Sequence, residues 1–144
     1  MGNPSQSRDD RANNSDFSAV DCQFLTTDGI NFDSTTFNAQ NMSMIGVVST
    51  GDVLSLSGST ATIDGGSILN NIGTGASGPA PIFVPSGSKM TLKGNLTIKG
   101  NAVSGTQWQI ENAGILSVES TVKFDCADIV NFFGTVTCSS SPPP

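Results

Sequence analysis

The chain has no histidine, one tryptophan and only 6 lysines and arginines among its 144 residues. Each shortage removes a class of function. Without an imidazole, no serine can be paired with a histidine base and no Cys/His zinc site can be completed. The 6 basic residues face 12 acidic ones, leaving a net charge of −6. A groove for a phosphate backbone needs clustered Lys and Arg, so no nucleic-acid partner is expected. No apolar run approaches the ~20 residues that span a bilayer, so no membrane partner is expected either. The opening Met1-Gly2-Asn3-Pro4-Ser5-Gln6 lacks a basic-then-apolar leader, and Gln6 stands where N-myristoylation wants Ser or Thr. Cysteine is scarce as well. Cys22, Cys126 and Cys138 cannot all pair within one chain and have no metal-ligand spacing. They read as buried small apolar side chains in a reducing compartment, with a Cys126–Cys138 bridge as the alternative. No cofactor, metal or catalytic residue is expected.

What is present is a repeat. Val84-Pro85-Ser86-Gly87-Ser88-Lys89-Met90-Thr91-Leu92, then Leu96-Thr97-Ile98, matches Ile110-Glu111-Asn112-Ala113-Gly114-Ile115-Leu116-Ser117-Val118, then Val122-Lys123-Phe124. Each copy is an apolar anchor, a Gly-containing turn and strands with apolar residues at alternate positions. The same layout precedes it, giving four copies whose anchors lie eight residues apart: Phe24 and Phe32, Val48 and Leu56, Val84 and Leu92, Ile110 and Val118. The first anchors advance by 24, 36 and 26 residues, and the long step carries the Gly/Pro-rich insertion 73–81.

A unit of this size with three short strands cannot bury its own apolar face, so neighbours must stack. The layout from Cys22 to Cys138 resembles the right-handed parallel β-helix of pectate-lyase-like proteins, phage tailspikes and polymorphic outer-membrane adhesins. The resemblance implies an all-β solenoid of four to five coils; an antiparallel β-sandwich or jelly roll is the alternative. Residues 1–16 are polar and form an extended N-terminal arm with no burial to order it. The solenoid domain is expected over 17–138, and the Pro-rich tail 139–144 should not continue a sheet. The inward residues expected are Cys22, Phe24, Ile30, Phe32 and Phe37; Val48, Leu54, Leu56, Ala61 and Ile63; Ile82, Val84, Met90, Leu92, Leu96 and Ile98; and Trp108, Ile110, Leu116, Val118, Val122 and Phe124. The Phe132-Phe133 pair is expected to plug the C-terminal end.

Stacking the copies puts outward residues into rows. One row reads Asp33, Ser57, Lys93, Glu119; another reads Asn38, Asp64, Lys99, Asp125, beside Thr36, Thr62, Thr97 and Lys123. Alternating charges of this kind fix which coil lies on which. Asp64 and Asp125, two coils apart, have the separation of an inverting carboxylate pair, but Lys99 between them would hold both ionised, whereas a general acid needs a raised pKa. The threonine row is too short and interrupted for ice binding. The chain therefore reads as non-enzymatic. Bare solenoid ends, a polar arm and no leader suit a structural protein made in a host cytoplasm and fixed on a virion. It would be a capsid decoration (cement) protein or short spike module, homotrimeric and tied to capsid protein through residues 1–16. The second expectation is an adhesin or carbohydrate-binding module at the cell surface, touching glycan through Trp108 or the 73–81 loop. The third is a polysaccharide lyase or hydrolase.

Overall fold

The computed structural model describes residues 10–13, 16–24, 29–74, 80–103 and 108–144. It is a parallel β-solenoid of about five turns, built from three sheets in which every pairing is parallel. Sheet A stacks β1 (Asp10–Asn13), β4 (Ile30–Asp33), β7 (Leu54–Ser57), β10 (Ile82–Val84), β13 (Ile110–Asn112) and β15 (Ile129–Asn131). Sheet B stacks β2 (Asp16–Val20) with β3 (Gln23–Phe24), then β5 (Thr36–Ile45), β8 (Thr60–Leu69), β11 (Lys89–Lys99), β14 (Ile115–Val118) and β16 (Thr135–Cys138). Sheet C is the short side: β6 (Val48–Ser49), β9 (Ile72–Gly73) and β12 (Ala102–Val103).

Inward columns make the core. Ile30, Leu54, Ile82, Ile110 and Ile129 lie in register on sheet A. Phe37, Ala61, Met90 and Leu116, and beside them Ala39, Ile63, Leu92 and Val118, do so on sheet B. The first four sheet A positions, and all eight of these on sheet B, are buried. The long strands of sheet B bend midway. At the bend, Asp21, Asn41, Gly65 and Gly94 stack with φ between 51° and 78°, the left-handed region that Gly, Asn and Asp enter at least cost. The Asn41 amide also donates to Asp21 Oδ1 at 2.8 Å, tying two rungs at this strained point. At the N-terminal end Phe17 sits edge-on to Phe32 and Phe37, which stack at 4.2 Å.

Buried amides run from the inside of the corner where sheet B meets sheet C to the residues that enter sheet A. The Val47 N–H donates to Asn71 Oδ1, and Asn71 Nδ2 donates to Asn101 Oδ1 at 2.8 Å. Asn101 Nδ2 donates to Gln109 Oε1 at 2.9 Å, and Gln109 Nε2 to Asp128 Oδ2 at 2.7 Å. A shorter serine ladder lines the A–B corner, where the Thr35 N–H reaches Ser59 Oγ and the Ser59 N–H reaches Ser88 Oγ. Cys126 and Cys138 form a disulfide and Cys22 is a free, partly exposed thiol. The reading of three buried free thiols is thus replaced by its alternative.

The solenoid is as expected, but its register is not. The sheet A column advances by 24, 28, 28 and 19 residues. Phe32 and Leu56 belong to sheet A, whereas Leu92 and Val118 belong to sheet B, so the two earlier copies were matched to the later ones one side out of step. Val48 and Trp108, expected inside, are 52% and 39% exposed; Val47 and Gln109 point inward in their place. Ala39, Met42, Met44, Val53 and Ile68 are core residues that the repeat did not single out. Within the segment read as an arm, residues 10–13 pair with Ile30–Asp33, while residues 1–9 lie outside the described residues. Ser141, in the tail expected to stay off the sheet, bridges to Lys123. The serines keep the N–H groups that the following prolines lack.

Asn101→Ala orphans the donors of Asn71 and the carbonyl of Ile68. It is expected to destabilise the fold by about 2–3 kcal/mol, read by urea denaturation. Reducing the 12-residue link between Cys126 and Cys138 is expected to cost about 2–3 kcal/mol. Melting with and without reductant, and of Cys126→Ser, checks this.

Candidate functional site

The corrected register separates the residues that the sequence placed together. Asp64 pairs with Gln40 and Lys93, while Lys99 pairs with Leu69, beyond the bend at Gly65 and Gly94. Asp125 follows the rung in which Lys123 faces Thr97, and its carboxylate caps the short 3-10 helix Cys126–Asp128 by accepting from the Ala127 N–H at 2.9 Å. Lys99 donates to the Pro144 carbonyl at 2.8 Å. The proposed carboxylate pair astride Lys99 therefore does not form. Thr36, Thr62 and Thr97 fall in three different columns, so the threonine row does not exist. The Lys93–Glu119 juxtaposition does hold, because the Glu119 N–H donates to Leu92 O, which places the two residues on adjacent rungs. Residues 75–79 of the insertion lie outside the described residues.

Two other groupings emerge. The first is at the A–B corner of the last three rungs. Here Pro85–Ser88, Ala113–Gly114 and Phe132–Gly134 are turns stacked one over another. The middle and last of these rungs are tied by asparagine: Asn112 Nδ2 donates to Asn131 Oδ1 at 2.8 Å and to the Thr135 carbonyl at 3.2 Å, and Asn131 Nδ2 donates to the Gly134 carbonyl at 3.0 Å. A side chain at position 134 would strike the Asn112 amide and the Gly114 carbonyl, so only glycine fits. The turn throws Phe133 outward. Its φ is 63° and it is fully exposed, while Phe132 is 45% exposed. The expected C-terminal plug is therefore absent, and an aromatic plug sits instead at the opposite end around Phe17. Phe133 forfeits the ~1.5–3 kcal/mol that a buried Phe contributes and occupies a backbone region costing ~1–2 kcal/mol for a bulky residue. Beside its ring lies an open hollow of about 320 Å³, lined by Ser86, Gly87, Lys89, Ile115 and Thr135 among others. Nothing in a Phe-Phe pair distinguishes core from surface, but Asn131 and Gly134 around it are a turn signal that could have placed it at a tip.

The second grouping is Asp52 with Glu111. Asp52 lies just before sheet A in one rung, and Glu111 points outward from β13, which is two rungs on. Burial pushes the Asp52 carboxyl above its ordinary value. Burial, and then the negative charge of Asp52, push Glu111 up as well. Such a pair holds protons more tightly than free carboxylates do. Among the described residues no three His, Cys, Asp or Glu side chains gather as metal ligands, and no helix is long and apolar enough to cross a membrane.

No protein-family model matches the chain, and neither a curated protein nor a solved structure matches it.

Both carboxyls are raised on folding, so their effect on stability is neutral below their ordinary values of 3.8 and 4.5 and becomes unfavourable as pH rises through them. Asp52→Asn removes one penalty and relieves the other. It is expected to melt above the parent protein at about pH 7, with the gain vanishing at about pH 3. Paired thermal melts across pH check both sign and window.

Proposed function

We propose that the chain is a non-enzymatic structural component of a virion, a capsid decoration protein or short spike module that acts as a homotrimer on capsid protein. The observation that supports this reading is the state of the end rungs. Core positions are closed in the middle of the stack, but Phe17 and Cys22 at one end, and Ile129, Val136 and Cys138 at the other, are only partly buried. The outermost strands of sheets A and B also leave one edge unpaired among the described residues. Half-open apolar rungs and free parallel edges are stable in water when other protein covers them. The disulfide fits the exterior of a virion, one of the settings where such bonds persist.

The second reading, a glycan-binding adhesin module in an extracellular setting, fits the disulfide equally well. It draws on the hollow beside Phe133 rather than on Trp108 or the insertion. The Asp64–Asp125 pairing on which the third reading, polysaccharide cleavage, was built is not formed.

Light scattering of the purified chain is expected to give three copies per particle. Deleting residues 2–9, which spares β1, should leave the melting temperature within error and abolish capsid attachment. A monomer at every concentration that still attaches to capsids without residues 2–9 would overturn the proposal.

A further inference from the structure

We propose that the A–B corner around Phe133 binds a sugar residue carrying a carboxylate. This rests on the second reading above, glycan binding, and specifies the subsite and the ligand class. Three observations meet here. The Phe133 ring is held fully in solvent by a turn that has no freedom to fold it away: Asn112 and Asn131 fasten the turn, and Gly134 is wedged against Asn112 and Gly114. A turn whose backbone is fixed before a ligand arrives adds no ordering cost of its own on binding.

The hollow, of about 320 Å³, is at the small end of ligand sites, a scale suited to one or two sugar rings. Its walls differ in kind. Phe133 and Ile115 supply apolar lining, and the exposed Ser86 and Thr135 with turn backbone supply polar groups. A wholly apolar ligand would leave those hydroxyls without partners, and a wholly polar one would waste the ring. A pyranose has both surfaces: a face of C–H groups, drawn to the electron-rich ring, and a rim of hydroxyls.

Lys89 sets the charge. It stands in the column Thr60, Lys89, Ile115, Thr135 and lines the hollow, with an exposed side chain whose ammonium makes no hydrogen bond or ion pair to any described residue. One unpaired ammonium on a chain of net charge −6 complements a single carboxylate and disfavours a polyanion.

The test is a titration of the full chain, followed by NMR of the phenylalanine ring protons. The probes are oligosaccharides bearing glucuronate, galacturonate or sialate and their carboxyl-reduced counterparts. At least one carboxylated probe is expected to bind and shift ring signals that Phe133→Asn removes. That substitution should weaken binding about tenfold or more while leaving melting unchanged or raised, because Asn tolerates the left-handed backbone. Lys89→Gln should erase the preference for the carboxylated probe over its reduced form. If reduced probes bind equally well and Lys89→Gln changes nothing, glycan binding survives and the acidic class is wrong. If no probe binds, subsite and glycan reading fail together. If Phe133→Asn instead changes the number of copies per particle, or if an acidic peptide binds where every sugar fails, the corner is a protein contact and the proposal is overturned.

Discussion

Every rung of this protein keeps its hydrogen-bond partners in the next one. The Ile30 N–H finds its acceptor at Val53, that of Thr60 at Thr35, and that of Ile82 at Gln109. Along the buried amides the dependence is stricter, because Asn71, Asn101 and Gln109 are almost wholly buried and the partners of each come from the rungs on either side. A buried amide without a partner costs about 1–3 kcal/mol. The chain from Val47 to Asp128 is thus satisfied as a whole or not at all. Sheet C, only two residues wide, contributes little burial. Its corner is held by amides.

The same dependence explains how much could be read from residues alone. Alternation of apolar and polar positions marks strands and their inward faces, and nearly all the inward assignments in sheets A and B hold. Alternation does not say which side of a three-sided coil a strand occupies. The eight-residue spacing recurs both from sheet C to sheet A, as from Val48 to Leu56, and from sheet A to sheet B, as from Val84 to Leu92. Two different corners therefore looked like one unit, and a single misassigned side carried through to every outward row. The carboxylate pair and the threonine array were products of that shift. What would have corrected it is the row of amides at Asn71 and Asn101, polar residues pointing inward at a fixed place in the coil.

The groupings that the structure does bring together were hidden for a different reason. Asp52 and Glu111 are 59 residues apart and fall on the same side, two rungs apart, only because the chain winds twice between them. Phe132-Phe133 reads as core because aromatic pairs are usually buried. Here the tight turn that closes the last rung overrides that preference, and the backbone rather than the side chain decides where the ring goes.

The disulfide also changes how the molecule carries load. A pull on the C-terminal tail peels the segment after Cys138 and then passes through a covalent bond to Cys126, so β15, β16 and the turn between them lie in a loop that bears no tension. The segment that displays Phe133 is thereby shielded from tension applied to the C-terminal tail.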